Sequence, residues 1–124
     1  MSRTLKIAVV DDEPDMRESI SQWLALSGFD AETFATAEEA LKAIGADWPG
    51  VVISDIRMPG MDGMAFLKRL MGIDSGLPVI MITGHGDVPM AVEAMRIGAM
   101  DFMEKPFNPE RLTELVKKPP RPGA

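Results

Sequence analysis

Five polar side chains, each at or just past the end of a short apolar segment, are the residues whose types and spacing could do chemistry. They are Asp11, Asp12, Asp55, Thr83 and Lys105. Three carboxylates brought to one site repel one another, and that repulsion calls for a cation. The chain has no cysteine and one histidine, so a site of oxygen ligands suited to Mg²⁺ fits best. The lysine adds a second positive charge that suits a phosphoryl group.

Phosphoryl transfer to a carboxylate is the chemistry that these groups together could support. Carboxylates serve as nucleophiles in aspartyl-phosphate formation. A magnesium ion bridges the nucleophile and the phosphoryl oxygens and offsets the repulsion between them. Asp55 is the candidate acceptor, and Asp11 and Asp12 complete the candidate metal site. Thr83 and Lys105 are the candidates for binding the oxygens of the new phosphoryl group.

Each of the five residues also has a structural interpretation that involves no ligand. Asp11 or Asp12 could cap the helix that follows, and Asp55 could be a turn residue. Thr83 could be an ordinary hydroxyl at a strand end, and Lys105 could be an exposed lysine. Their positions at the ends of different predicted strands favour the functional interpretation.

The elements that must position these residues alternate between strand and helix five times. Short runs rich in apolar and β-branched residues predict strands at 6–10, 30–34, 51–53, 78–82 and 101–104. Apolar residues at helical spacing predict a helix after each strand. Proline or a capping side chain suits helix starts at Pro14, Thr36 and Asn108. Glycine suits helix ends at Gly28 and Gly98.

Apolar strands separated by helices predict an α/β fold whose parallel sheet is covered by helices on both faces. In such a sheet, ligands bind beyond the carboxyl ends of the strands. All five polar residues stand at that edge, which brings segments from distant parts of the chain to one site. A shared function therefore explains their placement better than coincidence does.

The composition predicts one acidic globular domain. A length of 124 residues suits a single domain, which we place at residues 1–118, followed by a proline-rich tail at 119–124 that starts a linker or is left from expression. A net charge of −6 argues against nucleic-acid binding by this chain. No apolar run approaches the ~20 residues of a membrane span, and the first residues lack the apolar stretch of a secretory signal. We therefore expect a cytoplasmic protein that binds neither membrane nor nucleic acid.

Four motifs, taken in order, resemble those of the receiver domain of two-component response regulators over nearly the whole chain. The motifs are Asp11-Asp12-Glu13, the stretch from Asp55 to Gly63, Thr83-Gly84 and Lys105-Pro106-Phe107. The resemblance implies a flavodoxin-like (βα)5 doubly wound parallel sheet with strand order 2-1-3-4-5. It also implies that a sensor histidine kinase supplies the phosphoryl group and that an output domain acts on the signal.

The resemblance assigns roles at the metal site. It implies that Asp55 is the phosphoacceptor and that Asp12 and Asp55 bind Mg²⁺ directly. The backbone carbonyl of Arg57 is the third implied ligand, and Asp11 is implied to act mainly through water.

The resemblance also assigns roles in the response to phosphorylation. Thr83 corresponds to the switch hydroxyl and Lys105 to the phosphate-binding lysine, and the Lys105–Pro106 peptide bond is expected to be cis. Phe102 stands where the family has its rotating aromatic, although core packing would also explain a phenylalanine there. We expect charge on Asp55 to draw Thr83 and Lys105 inward and Phe102 to follow.

Two residues that flank the site, Arg57 and His85, occupy positions that vary in the family. We expect them to tune the lifetime of the phosphoryl group. The alternative is that both are exposed loop side chains without a kinetic role. Exchange of each for alanine, followed by the decay of the acyl phosphate, separates these two hypotheses.

Two stretches, 53–63 and 83–92, narrow the resemblance to regulators of C4-dicarboxylate transport, which continue into an AAA+ ATPase and a DNA-binding domain. Nitrogen-fixation regulators with a helix-turn-helix output share much of the second stretch. In either case we expect the output domain to lie outside this chain. We also expect a homodimer through the face of the fourth helix, fifth strand and fifth helix, where methionine is frequent.

Two other functions are weighed against this one. A phosphatase of the haloacid-dehalogenase kind requires a second acidic residue two positions after its nucleophile, and this chain has Arg57 at that position. A phosphate-independent interaction module would keep the fold alone, and the complete set of five polar residues argues against it. We therefore expect a domain that accepts one phosphoryl group and dephosphorylates itself, and not a turnover enzyme.

Overall fold

Strand and helix alternate five times in the computed structural model, which describes residues 6–45, 47–84 and 87–117. The strands are β1 (Lys6–Val10), β2 (Asp30–Phe34), β3 (Gly50–Asp55), β4 (Val79–Thr83) and β5 (Asp101–Glu104). The helices are α1 (Pro14–Leu26), α2 (Ala37–Ala43), α3 (Gly63–Ile73), α4 (Val88–Ile97) and α5 (Pro109–Lys117). The predicted alternation is therefore confirmed. The predicted boundary at residue 118 and the tail at 119–124 lie outside the described residues.

Backbone pairing makes two strands differ from their predicted bounds. β3 is longer than predicted at both ends, because Gly50 pairs with Lys6 of β1 and Asp55 pairs with Ile82 of β4. β4 begins one residue later than predicted, after Pro78, which has no amide hydrogen to donate. Apolar periodicity finds the middle of a strand, whereas its ends depend on which backbone groups find partners.

The five strands form one parallel sheet in the order β2-β1-β3-β4-β5, which is the predicted order. Successive side chains of a strand point to opposite faces. On one face Ile7 and Val9 of β1 belong to a core shared with α1 and α5. On the other face Ala8 and Val10 belong to a core shared with α2, α3 and α4. Each face has its own core and helices, which confirms the doubly wound α/β fold.

Capping side chains begin two helices where the sequence predicts. Thr36 Oγ1 accepts a hydrogen bond from the amide of Glu39 at 3.1 Å, and the Glu39 carboxylate accepts one from the amide of Ala35 at 3.3 Å. Asn108 Oδ1 accepts a hydrogen bond from the amide of Glu110 at 2.8 Å before α5. These bonds satisfy amides that a helix start leaves without an intrahelical acceptor.

Glycines end two helices, also as predicted. Gly28 has a φ of 90° just after α1, and Gly98 has a φ of 140° at the end of α4. Side chains other than hydrogen are strained in this region of φ, so glycine lets the chain turn back toward the sheet. None of the helices in the described part of the chain is long and apolar enough to cross a membrane.

Candidate functional site

Strand register brings the five predicted site residues to the carboxyl edge of the sheet. Asp55 closes β3 and Thr83 closes β4. Asp11 and Asp12 directly follow β1, and Lys105 directly follows β5. Neighbouring strands are paired in parallel up to these ends, so residues from four segments meet on one side.

Asp11, Asp12 and Asp55 form an acidic cluster in which one carboxylate oxygen of each lies within 4.8 Å of the others. Asp11 and Asp55 are buried, with 1% and 6% of their surface exposed, whereas Asp12 is exposed. Burial raises the pKa of Asp11 to about 6; a hydrogen bond from the amide of Glu13 opposes this shift, and the charge of Asp55 adds to it. A neighbouring positive charge would therefore be stabilising here.

The acidic cluster fits a hard divalent cation such as Mg²⁺. Its donor atoms are all oxygens, and Asp11 Oδ2 is buried without a hydrogen-bond partner among the described residues. Asp11 Oδ1 accepts a hydrogen bond from the amide of Glu13 at 2.9 Å, and the Asp11 carbonyl accepts one from Nη1 of Arg17 at 2.7 Å. The capping alternative for Asp11 and Asp12 is not seen, because α1 follows Glu13 without any side-chain cap.

Lys105 points at the acidic cluster. Its Nζ donates hydrogen bonds to Asp55 Oδ2 at 3.0 Å and to Glu13 Oε1 at 3.2 Å, and it lies 3.8 Å from Asp11 Oδ2. Burial lowers the pKa of Lys105, but the hydrogen bond to Asp55 and the charges of Asp11 and Asp55 outweigh burial and raise it. The peptide bond between Lys105 and Pro106 is cis. The site thus holds a charged ammonium against one oxygen of Asp55.

Both carboxylate oxygens of Asp55 accept hydrogen bonds. Oδ1 accepts one from the amide of Arg57 at 3.2 Å, and Oδ2 accepts the one from Lys105. The backbone behind Asp55 is tightly packed, since a Cβ on Gly63 would collide with the Asp55 carbonyl, and the Gly63 amide donates to the carbonyl of Ile56 at 2.8 Å. The chain therefore holds this carboxylate in a defined position.

Thr83 and Phe102 lie on the β4–β5 side of the site. Thr83 is fully buried, and its Oγ1 has no hydrogen-bond partner within the described ranges. A buried hydroxyl without a partner is costly, so an acceptor brought near it would be stabilised. Phe102 is half-buried in β5, pairs with Met81 of β4, and packs against the core under α2, α3 and α4.

The side chain of Arg57 pairs with Asp87, the residue before α4. Arg57 Nε donates to Asp87 Oδ2 at 2.6 Å, and Nη2 donates to Oδ1 at 2.8 Å. This ion pair raises the pKa of Arg57 and lowers that of Asp87. His85, the other residue expected to tune phosphoryl lifetime, lies outside the described residues.

Sequence reasoning did not assign a role to three of the residues that shape the site, Glu13, Arg17 and Asp87. The run of acids at 11–13 is a signal that could have found Glu13. No pattern in the sequence connects Arg17 or Asp87 with its partner, because those contacts depend on how loops fold over the ends of the strands.

Comparisons with known proteins identify the family of this chain. The family model described as the response regulator receiver domain matches residues 7–117. The C4-dicarboxylate transport transcriptional regulatory protein DctD of Rhizobium meliloti (strain 1021) is 48% identical over 118 residues, which are 95% of this chain and 26% of that protein. The transcriptional regulatory protein FixJ of Bradyrhizobium diazoefficiens is 47% identical over 111 residues, which are 90% of this chain and 54% of that protein.

Solved structures show the same fold. A response regulator receiver domain protein from Clostridium thermocellum matches with a TM-score of 0.87 at 32% identity, over 90% of each chain. The receiver domain of NtrX from Brucella abortus matches with a TM-score of 0.85 at 42% identity, over 90% of this chain and 94% of that one. The chain spans about a quarter of DctD and about half of FixJ. By fold, by sequence and by the polar residues gathered at its strand ends, this chain belongs to the response regulator receiver domain family.

Proposed function

We propose that Asp55 accepts the phosphoryl group that switches this receiver domain. The observation that carries the proposal is the 3.0 Å hydrogen bond from Lys105 Nζ to Asp55 Oδ2, at a carboxylate flanked by Asp11 and Asp12. An oxygen of Asp55 attacks phosphorus, and the leaving group departs with the electrons of its bond. The positive charge of Lys105 then stabilises the oxygens of the transferred group.

The acidic cluster supports a Mg²⁺ site made of Asp11, Asp12, Asp55 and the backbone carbonyl of Arg57. When bound, the ion would offset the repulsion between these carboxylates and the phosphoryl oxygens. Arg57 donates its amide to Asp55 Oδ1, so its backbone lies beside the cluster. We infer that Asp12, Asp55 and the Arg57 carbonyl bind the ion directly and that Asp11 acts mainly through water.

Lys105 and Thr83 are the groups that we propose to bind the phosphoryl oxygens. Lys105 already donates to Asp55, so it needs little movement. The hydroxyl of Thr83, which has no partner among the described residues, would gain an acceptor. Phe102, beside β4, would then follow the displaced backbone after Thr83. This is a local two-state change that charge on Asp55 biases.

A sensor histidine kinase is the phosphoryl donor that we propose, and a transcriptional output domain is the receiver of the signal. DctD and FixJ are named as transcriptional regulators, and this chain spans only part of each. The output is proposed to be an AAA+ ATPase with a DNA-binding domain, or a helix-turn-helix domain. Residues 119–124 are proposed to begin the linker to it or to be left from expression, and the cytoplasm is the proposed location.

A homodimer through the α4-β5-α5 face is a further part of the proposal. Val88, Val92 and Met95 are 49%, 52% and 39% exposed, and their spacing places them on one stripe of α4. Sedimentation of the chain with and without beryllofluoride, a phosphoryl mimic, tests the dimer. A doubled mass with the mimic supports the dimer, and an unchanged mass refutes it.

Incubation with acetyl phosphate and Mg²⁺, followed by intact mass spectrometry, tests the acceptor. One added phosphoryl group is expected in the wild type and in Asp62→Asn, a matched control that changes an exposed acid of the same loop. Asp55→Asn is expected to remove the adduct. No adduct on the wild type, or an adduct that survives in Asp55→Asn, would overturn the proposal.

We infer a single acceptance followed by self-dephosphorylation, without turnover of a separate substrate. An aspartyl-phosphate phosphatase requires a second acidic residue two positions after its nucleophile, and here that position holds Arg57. Hydrolysis of more than one equivalent of a small phosphate ester would contradict this inference.

A further inference from the structure

One ion pair beside the acidic cluster has no part in the phosphoryl transfer proposed above. Arg57 and Asp87 are joined by two hydrogen bonds, 2.6 Å from Nε to Oδ2 and 2.8 Å from Nη2 to Oδ1. Two such bonds fix the relative orientation of both groups, which a single contact would not do. The pair connects the loop after β3 with the start of α4 across 30 positions of sequence.

The Arg57 end of this pair is tied to the candidate phosphoacceptor. The amide of Arg57 donates to Asp55 Oδ1 at 3.2 Å. The negative charge of Asp55 also acts on the guanidinium, since it contributes to the raised pKa of Arg57 after the larger contributions of Asp87. The Arg57 side chain is 71% exposed, so it can rotate without disturbing the core. A phosphoryl group on Asp55 would therefore add charge close to an exposed cation.

The Asp87 end is tied to α4. Asp87 is the N-cap residue of this helix, and its carbonyl accepts hydrogen bonds from the amides of Met90 and Ala91 at 3.1 Å. Its carboxylate makes no cap hydrogen bond. An aspartate at this position ordinarily accepts a bond from the third helical amide, which here belongs to Met90. The partner of this carboxylate at the start of α4 is therefore Arg57 and not the first turn of the helix.

We propose that Asp87 is a positioning residue that competes with the phosphoryl group on Asp55 for the guanidinium of Arg57. In the unphosphorylated chain Asp87 holds Arg57 at the start of α4. A phosphoryl group carries close to two negative charges and accepts paired hydrogen bonds from arginine, so it draws Arg57 toward Asp55. Asp87 then loses its partner, and the link between the loop after β3 and the start of α4 is broken. The proposal rests on the proposed function of Asp55.

The competition predicts in which direction each substitution changes the affinity for an anionic phosphoryl mimic. Removing the Asp87 carboxylate frees Arg57 for the phosphoryl group, so an anionic mimic should bind more tightly. Exposed ion pairs are weak, which limits the expected tightening to about two- to fivefold. Removing the Arg57 guanidinium should weaken binding of the mimic. Without Arg57, removing the Asp87 carboxylate should have almost no further effect on that affinity.

The test is the affinity of the Mg²⁺-loaded chain for beryllofluoride, measured by calorimetric titration. Asp87→Asn is expected to tighten binding about two- to fivefold in the wild-type background, and Arg57→Gln to weaken it. In the Arg57→Gln background, Asp87→Asn is expected to change the affinity for beryllofluoride no more than the control substitution does. That control is Glu93→Gln, which removes the same charge from α4 at a carboxylate paired with Arg96 at 3.1 Å.

Equal tightening by Asp87→Asn and Glu93→Gln would overturn the proposal, because net charge alone would then explain the effect. The same tightening with and without Arg57 would also overturn it. The Nε–H resonance of Arg57 gives a second readout, and we expect beryllofluoride to shift it in the wild type; an unmoved resonance contradicts the competition. A wild-type chain that binds no beryllofluoride would overturn the proposed function of Asp55 itself, so the two failures are distinguishable.

Discussion

The helices that follow β3 and β4 are held to the sheet by very different side chains. Both strands end at a residue of the site, Asp55 in one case and Thr83 in the other. Helix α3 buries four large apolar side chains, those of Met64, Phe66, Leu67 and Leu70. Helix α4 buries two alanines, Ala91 and Ala94, and exposes the larger Val88, Val92 and Met95.

The contrast matters because buried apolar area decides how firmly each helix is held to the sheet. Burying a leucine or phenylalanine side chain stabilises a fold by about 1.5–3 kcal/mol, and an alanine contributes far less because it has one methyl group to bury. Four such side chains anchor α3, whereas α4 is anchored by two alanine methyl groups and the half-buried Met90 and Ile97. Segments that move in a switch come from the weakly held part of a structure. We therefore expect the β3–α3 unit to be the fixed side of the candidate site and the β4–α4 unit to be the side that responds.

The largest test of this contrast compares one apolar truncation in each helix. Leu67→Ala should lower the free energy of unfolding by about 2–5 kcal/mol, because Leu67 is fully buried and leaves a cavity. Val92→Ala should change it by less than about 0.5 kcal/mol, since Val92 is 52% exposed. Urea denaturation of both variants provides the measurement. Similar losses in the two helices would break the comparison.

A second test uses the glycines that flank the two site residues. A Cβ on Gly63 would collide with the backbone of Asp55 and lie 2.6 Å from the Cα of Ile56, so Gly63→Ala should cost about 2–3 kcal/mol. A Cβ on Gly84 would meet no atom of the described residues within 4 Å, so Gly84→Ala should be neutral or slightly stabilising. Thermal unfolding of both variants checks this, and a severe loss in Gly84→Ala would show that the β4–α4 unit is also tightly constrained.

A third test concerns the charge of Asp11, which lies beside Asp55 at the end of β1. Burial raises the pKa of Asp11 from its ordinary 3.8 to about 6, so the folded chain holds that proton more tightly than the unfolded chain does. The stability that this proton contributes is complete below pH 3.8 and is lost as the pH rises through about 6. In metal-free buffer, wild type should therefore lose on the order of 1–2 kcal/mol over this window relative to Asp11→Asn. Parallel pH profiles for the two proteins would contradict this expectation.

The smallest test concerns the first turn of each helix. Asp62 accepts a hydrogen bond from the amide of Ala65 at 2.9 Å, so Asp62→Ala should lower the free energy of unfolding by about 1 kcal/mol. Asp87 makes no such bond at the start of α4, so Asp87→Ala should have the smaller effect. Chemical denaturation measures both, and a larger loss for Asp87→Ala would mean that the ion pair with Arg57 anchors α4.

Most of the fold could be predicted from apolar periodicity, and the central residues of the candidate site from their positions at strand ends. The strands and helices follow from apolar spacing, and parallel strands place Asp11, Asp55 and Lys105 at one edge whatever the details of the loops. Partner choice among exposed charges was not predictable in the same way. Asp87 could pair with any nearby cation, and only the folded chain brings Arg57 Nε within 2.6 Å of Asp87 Oδ2.

The unequal burial of the two helices also could not be predicted from periodicity. Helices α3 and α4 both carry apolar residues at helical spacing, and a pattern of apolar positions does not say which of them face the sheet. In α4 the small residues at 91 and 94 face inward and the larger ones at 88, 92 and 95 face outward. The face that a helix turns toward the sheet depends on where the preceding loop places the start of that helix, and this is a property of the whole fold.

The wide spacing of the site along the chain has a consequence during synthesis. Asp11 lies near one end of the described residues and Lys105 near the other, and the site needs both. A growing chain exposes Asp55 on the ribosome well before Lys105 has been made, and at that stage the carboxylate has neither its ammonium nor a finished sheet around it. A phosphoryl group on Asp55 would thus require a receiver domain that has been synthesised through Lys105 and has folded, and chains cut short within the domain would not accept one.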